Sequence, residues 1–345
     1  IPARFTRRYP RVNMASATMN STNNEGETKS TASGEILSQP GGADLLVDLE
    51  DELRLIEHRT NGKRRWTLQD YLGGTQGKTA VVRAKDSHGG VFALKFIFAS
   101  DEHVRRRFRR EIGLQNGFTH NNVVAAKRES PLSSKDGTLM IGILEYVPNK
   151  SIERMIKDEG RMGEERAVAI AIDVLRGLEH IHGQGVIHKD IKCANILSGP
   201  TGFKITDFGI SVVDELAKGS FSATMIATKT IHGQNNLRGT PHYMSYEQHK
   251  QLVLDVRTDI WSVGVCLYRW LAGRFPFGDQ AKVHADIFEA LLMTTPDRIP
   301  DISDRLFDVL AKALQKNADD RYRTATEMLK ELEPLAKHQP LPPGC

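Results

Sequence analysis

The spacing of apolar residues along this chain changes character three times. Residues 1–42 carry no sustained pattern; they are rich in Ser, Thr, Asn, Gly and Met and poor in large apolar side chains. Such a stretch cannot bury enough surface to offset the entropy of ordering it, and it is predicted to be disordered. Leu45, Leu46, Leu49, Leu53 and Ile56 then recur at helical spacing. They predict a short amphipathic helix which, with a linker, fills 43–65. From Trp66 to about Leu144 the pattern is strand-like. Val81-Val82 and Val91 to Phe98 are β-rich runs separated by the turn Ser87-His88-Gly89-Gly90, and one helix, roughly Glu102 to Asn116, interrupts them. Beyond Pro148 the period becomes helical. Val168, Ile172, Leu175, Leu178 and Ile181 line one face of Arg161 to His182, and Thr258 to Ala272 and Asp304 to Leu314 read the same way. The pattern therefore predicts an α+β protein with a small antiparallel-sheet lobe carrying one helix (66–147), a larger mostly helical lobe (148–336), a cleft between them, and a tail (337–345).

Composition narrows this only a little. At 345 residues, 39% apolar and 26% charged, the chain is ordinary for a globular protein. No apolar run approaches the roughly 18 residues of a membrane helix; the best candidate, Val91 to Phe98, is cut by Lys95. The net charge of +4 is matched by Arg4, Arg7, Arg8 and Arg11. The folded part is thus near neutral and makes no case for nucleic-acid binding. Cys193, Cys266 and Cys345 are too few and scattered for a disulfide framework or a zinc site, which favours a reducing compartment. An intracellular, cytoplasmic setting is expected. The acid-free, Arg-rich start leaves organelle targeting open as the alternative.

The chemistry is concentrated in Ile187-His188-Lys189-Asp190-Ile191-Lys192-Cys193-Ala194-Asn195-Ile196-Leu197 and, twelve residues past Asn195, Asp207-Phe208-Gly209. The pair resembles H-R-D-x-x-x-x-N and D-F-G of eukaryotic-type protein kinases. Further segments agree with that resemblance. Phe92-Ala93-Leu94-Lys95 is similar to V-A-I-K, Glu111 stands where the family has the helix glutamate that pairs with this lysine, and His120-Asn121-Asn122-Val123-Val124 is similar to H-P-N-I-V. Leu144-Glu145-Tyr146-Val147 resembles the linker between lobes. Gly239-Thr240-Pro241-His242-Tyr243-Met244-Ser245-Tyr246-Glu247 resembles G-T-P-x-Y-M-S-P-E, and Asp259-Ile260-Trp261-Ser262 the buried helix that braces the catalytic loop. Lys192 and the Gly239-Thr240-Pro241 segment are similar to those of Ser/Thr-specific members. The D-I-K-x-A-N-I-L loop resembles MAP-kinase-kinase-kinase relatives, whereas the Tyr-Met-Ser-x-Glu-Gln ending resembles bacterial Ser/Thr kinases.

The resemblance implies transfer of the γ-phosphoryl group of ATP to Ser or Thr hydroxyls of protein substrates, with Mg²⁺ as cofactor. Phosphoryl transfer is mostly positioning and charge neutralisation. On that basis Asp190 is the expected base toward the hydroxyl, Lys192 faces the γ-phosphate, and Asn195 and Asp207 offer the hard oxygens Mg²⁺ prefers. Lys95, held by Glu111, would bind the α- and β-phosphates. Gly74, Val81, Ala93, Leu144 and Leu197 would surround the nucleotide, and the backbones of Glu145 and Val147 would meet the adenine edge. Arg321 is expected to pair with Glu247.

Five departures qualify the expectation. The phosphate loop, set on Gly74-Thr75-Gln76-Gly77-Lys78-Thr79-Ala80-Val81, keeps only the first of three glycines. A scaffold-like pseudokinase with weak nucleotide binding is therefore the alternative. Lys189 replaces the arginine with which the family binds a phosphorylated activation segment, and lysine lacks the bidentate fork. Gln115 puts a polar group where the family has an apolar one, which is awkward if buried. The stretch from Asp207 to Glu247 is long and holds Ser220, Ser222, Thr224, Thr228 and Thr230, read either as a floppy surface loop or as an autophosphorylation platform. Arg105, Arg106, Arg107, Arg109 and Arg110 crowd the Glu111 helix, as a solvated face or as a dock for a phosphorylated segment. Substrate, pathway and oligomeric state leave no mark in the sequence.

Overall fold

The computed structural model describes Leu49, Leu53 and residues 66–75, 78–127, 130–135, 137–209, 212–213 and 241–336. Five strands form the first sheet: β1 (Trp66–Thr75), β2 (Thr79–Asp86), β3 (Val91–Phe98), β4 (Leu132–Ser133) and β5 (Leu139–Glu145), in the antiparallel order β1-β2-β3-β5-β4. Strand β2 alternates in burial along its length, as period-two patterning demands. Helix α1 (Glu102–Asn116) crosses one face of this sheet. It starts where the Asp101 side chain accepts a hydrogen bond from the His103 N–H, and it buries Phe108, Glu111, Ile112 and Gln115. Leu49 and Leu53, each 1% exposed, belong to the apolar cluster built on Trp66, Leu68, Val82, Leu94, Phe96 and Ile141. The predicted amphipathic helix therefore contributes to the small lobe's core; its other apolar positions, Leu45, Leu46 and Ile56, lie outside the described residues.

The larger lobe holds α2 (Ile152–Glu159), α3 (Glu164–Gly183), α4 (Tyr246–His249), α5 (Arg257–Ala272), α6 (His284–Met293), α7 (Asp304–Ala313) and α8 (Ala325–Leu332). It also holds the short strands β6 (Val186–Ile187), β7 (Ile196–Gly199), β8 (Gly202–Ile205) and β9 (Val212–Val213), paired as β6-β9 and β7-β8. Helices α3 and α5 form its centre. Val168, Leu175, Leu178, Ile181, Trp261 and Leu267 are fully buried in one cluster that continues into α7 and α8. Helix α5 is buried on nearly every side, with Thr258, Asp259 and Ser262 among its enclosed residues. The α+β two-lobed architecture read from the pattern is the architecture observed.

Gln115 is 0% exposed. Its Nε2 donates to the Val124 carbonyl at 3.2 Å, while its Oε1 finds no partner among the described residues. Half of the amide is satisfied, so the polar residue is tolerated at the seam between α1 and the following loop.

Candidate active site

The site is assembled from segments far apart in the chain. Lys95 lies mid-β3, opposite Gly142 of β5, and projects beneath α1. Its Nζ donates to Glu111 Oε1 at 2.6 Å and to Asp207 Oδ1 at 3.0 Å. Burial works against the Lys95 ammonium, but the Glu111 and Asp207 carboxylates outweigh it and raise its pKa above the ordinary value. Burial, chiefly, pushes the Glu111 carboxyl up, with Lys95 pulling the other way. Burial also acts to raise Asp207, but the Lys95 ammonium, followed by Lys192, holds it down at about 2. A cation thus sits between two carboxylates at the back of the cleft, and Asp207 stays ionised.

Asp190 sits in the loop between β6 and β7. Lys192 Nζ donates to its Oδ2 at 2.7 Å, and Asn195 Nδ2 donates to its backbone carbonyl at 2.9 Å and to Oδ2 at 3.2 Å. The loop is braced from below: Asp259, fully buried on α5, accepts from the His188 N–H at 2.8 Å and the Lys189 N–H at 2.7 Å. Phe208 is buried against Phe118 and His188, with ring centroids 5.0 and 4.7 Å apart. The residue after it, Gly209, accepts a hydrogen bond from Arg107 Nε of α1. These contacts turn Asp207 toward Lys95 and its ring neighbour away from the cleft.

The apolar residues expected around a nucleotide also converge. Ala93, Leu144 and Val147 are buried in one cluster, and Val81 and Leu197 pack against it. Gly74, at φ +148°, stands where an added Cβ would lie 2.3 Å from the Thr79 carbonyl oxygen, so no side chain fits there. Strands β1 and β2 stay paired up to Thr75 with Thr79; Gln76 and Gly77 of the expected loop lie outside the described residues. The Glu145 N–H is spent on the Ala125 carbonyl at 2.9 Å, so an adenine contact from Glu145 falls to its carbonyl.

A family model described as the protein kinase domain matches residues 67–332. The chain belongs to the protein kinase family. It is 34% identical over 247 residues to a probable serine/threonine-protein kinase of Clostridium perfringens, covering 71% of this chain and 34% of that protein. It is 32% identical over 278 residues to serine/threonine-protein kinase PknB of Mycolicibacterium smegmatis, covering 78% and 42%. Against serine/threonine-protein kinase PrkC of Bacillus subtilis the figures are 29% over 282 residues, 79% and 40%. The chain thus spans roughly two fifths or less of the length of these relatives.

Within this kinase fold, two site contacts left no trace in the sequence motifs. Lys204 of β8, beneath the hinge, pairs with Glu145 at 3.0 Å and ties the floor strand of the slot to the linker above it. Gln248 of α4 reaches the catalytic loop at the Lys189 carbonyl. The expected Arg321–Glu247 pair is present, bidentate at 2.7 and 2.9 Å, with the Arg321 side chain fully buried. Ser220, Ser222, Thr224, Thr228, Thr230, Gly239 and Thr240 lie outside the described residues, so the expectations placed on them have no structural counterpart. Among the described residues no helix is long and apolar enough to cross a membrane.

Proposed function

We propose that this chain is a Ser/Thr protein kinase that moves the γ-phosphoryl group of MgATP to hydroxyls of protein substrates. The observation that carries the reading is the joining of two clusters in one cleft. Lys95 bridges Glu111 and Asp207, and Lys192 and Asn195 converge on Asp190. The first cluster suits phosphates and a metal; the second suits an incoming hydroxyl.

The donor set fits a hard cation. Asn195 spends its NH₂ on Asp190, which leaves its Oδ1 to offer; Asp207 spends one oxygen on Lys95 and keeps the other. Oxygen donors of this kind suit Mg²⁺. No group of three or more His, Cys, Asp or Glu side chains able to hold a metal occurs among the described residues, so the remaining ligands would come from phosphate oxygens and water. Mg²⁺ bound there would neutralise phosphate charge. Lys95 holds the non-transferred phosphates, and Glu111 fixes the direction of its ammonium. Asp190 orients the substrate hydroxyl and takes its proton. Lys192, already on Asp190, supplies positive charge on the same side as the transferring group. Val81, Ala93, Leu144, Val147 and Leu197 exclude water around the adenine, with the Glu145 carbonyl and Val147 N–H as backbone partners.

Control through the segment 207–247 is part of the proposal. Lys189 Nζ has no hydrogen-bond partner among the described residues. Burial lowers its pKa first, and Arg110 and Arg107 of α1 add to that against Asp259. Three cations at the foot of the activation segment favour an anionic group there, such as a phosphorylated Ser or Thr of that segment.

The experiment is incubation of the chain with labelled ATP, Mg²⁺ and myelin basic protein. Label in the protein substrate is expected, and Asp190→Asn should abolish it while leaving ATP binding intact, because the base acts on the hydroxyl. Asp207→Asn should also remove the Mg²⁺-dependent part of an ATP-induced thermal shift. ATP binding without transfer in the wild type would instead support the pseudokinase reading, which the loop residues Gln76 and Thr79 recommend.

A further inference from the structure

The Tyr-Met-Ser-x-Glu-Gln ending holds one residue that the proposed chemistry does not use. Glu247 has its ion pair with Arg321; Gln248, the next residue, is the third of the short helix α4. Its Oε1 accepts from the Ser245 N–H at 3.0 Å and from Ser245 Oγ at 3.3 Å, while Ser245 Oγ accepts from the Gln248 N–H. That reciprocal arrangement is a capping box, and for it Glu serves as well as Gln. The other end of the carboxamide is what distinguishes this residue. Its Nε2 leaves α4 and donates to the Lys189 carbonyl, 3.0 Å away and 59 residues earlier in the chain. A carboxylate cannot make that bond.

Lys189 is a place where such a bond has consequences. Its φ is +69°, a left-handed conformation that a side chain of this size rarely takes. A backbone of this kind persists when its surroundings over-determine it. Here Asp259 Oδ1 accepts the Lys189 N–H at 2.7 Å, and Gln248 holds the carbonyl. The N–H on the far side of the same peptide, that of Asp190, donates to His188 Nδ1 at 3.2 Å. The peptide joining Lys189 to Asp190 is therefore gripped at both of its polar ends, and the Asp190 carboxylate hangs from it. Gln248 also reaches Ser245, the last residue of the Pro241–Ser245 stretch that runs beside the catalytic loop.

We propose that Gln248 is a positioning residue: one carboxamide orients the peptide that precedes Asp190 and registers it to the Pro241–Ser245 stretch. The proposal rests on the reading of Asp190 as the base. Gln248 touches neither the Lys95 cluster nor the apolar slot, so its loss acts on phosphoryl transfer and spares nucleotide binding. The identity of the residue matters in a specific way. Gln248→Glu keeps the capping half and places a carboxylate oxygen against the Lys189 carbonyl, acceptor against acceptor. Gln248→Met keeps the volume and removes both bonds.

The test measures kcat, KM for ATP and melting temperature of the full chain bearing each substitution, with labelled ATP, Mg²⁺ and myelin basic protein, beside Asp190→Asn. In Gln248→Glu, kcat is expected to fall about tenfold or more, the scale of a lost hydrogen bond plus an unpaired acceptor, while KM for ATP stays within about twofold and the melting temperature falls by only a few degrees. Gln248→Met should show the same split with a lower melting temperature. A residue that merely capped α4 would tolerate Glu without loss of kcat, so wild-type kcat in Gln248→Glu overturns the proposal. A rise in KM for ATP that accounts for the whole loss overturns it too. If neither variant folds, the side chain holds the fold together rather than orienting the loop, and the proposal falls. Full activity in Asp190→Asn removes the base assignment itself; an inactive Asp190→Asn beside fully active Gln248 variants removes only the role of Gln248.

Discussion

Gly142→Ala tests how tightly the Lys95–Glu111 pair is seated. Gly142 pairs with Lys95 across β3 and β5, and α1 crosses the sheet directly above it. A Cβ built there would lie 2.5 Å from Ile112 Cδ1, 3.1 Å from Ile112 Cγ1 and 3.1 Å from Phe108 Cζ. Carbon atoms prefer about 3.5–4.0 Å, so the Ile112 methyl must yield by about 1 Å. Ile112 is 0% and Phe108 3% exposed, so neither has solvent to move into. Overpacking of this kind costs about 1–3 kcal/mol. Replacing a strand glycine returns about 0.5–1 kcal/mol through the unfolded chain. The net expectation is a loss of about 1–2 kcal/mol, or roughly 2–6 °C in melting temperature for a domain of this size. Ile112 follows Glu111 directly, so the shift that relieves the clash moves the carboxylate away from Lys95 and lengthens their 2.6 Å contact. Misplacement of about 1 Å near reacting groups is worth up to about a hundredfold; a fall of about tenfold in kcat/KM for ATP is expected. Urea denaturation and steady-state kinetics at varied ATP measure both effects, and Gly142→Val should exceed Gly142→Ala in each. A Gly142→Ala protein as stable and as active as wild type would show that α1 has slack over this strand and would refute the reasoning.

Two further outcomes follow from other parts of the molecule. His249 is 8% exposed and lies 3.0 Å from His284, Nδ1 to Nε2; burial first, then His284, lowers its pKa to about 4 from an ordinary 6.5. Between those values the unfolded chain binds the extra proton, so stability present above pH 6.5 should be lost as pH falls toward 4. The loss is at most about 3 kcal/mol, and His249→Phe should flatten that part of a denaturation-versus-pH curve; an unchanged curve would show that His249 is not the group titrating. In the phosphate loop, Gln76→Gly with Thr79→Gly should lower KM for ATP several-fold, on the scale of one recovered hydrogen bond of about 1 kcal/mol. Steady-state kinetics at fixed Mg²⁺ and protein substrate measure it, and an unchanged or raised KM would mean that the loop meets the nucleotide through side chains such as Lys78.

The sequence by itself determined the kinds of elements and the chemistry present. Period-two burial in β2 and 3.6-residue periodicity in α3 are local signals, set by which side each side chain faces, and they survive without knowledge of the fold. Asp190, Asn195 and Asp207 could be singled out as candidates because the short segments around them resemble kinase motifs; the structure adds that Lys192 and Asn195 meet Asp190 and that Lys95 meets Asp207. Lys95 and Glu111 were legible only as residue types in the right order. That Lys95 meets Asp207, 112 residues away, was decided by the packing of the small sheet over β7 and β8. Other features belonged to the tertiary structure alone. Gln248 enters the sequence reading only as the end of Tyr-Met-Ser-x-Glu-Gln, and only the passage of the catalytic loop beside α4 turns its amide into a partner for Lys189. Gln115 is a misplaced polar residue on paper, and the nearby Val124 carbonyl satisfies half of it. Lys204 is an unremarked charge, and Glu145 is read only for its backbone, until β8 lies under the hinge and their side chains pair. Leu49 and Leu53 announce an apolar helix face but not the sheet that receives it. Apart from the Gln115–Val124 bond, which spans nine residues, the deciding contacts join elements distant in the chain, and a linear pattern holds no information on which of many apolar faces or free donors will be brought together until the core has closed.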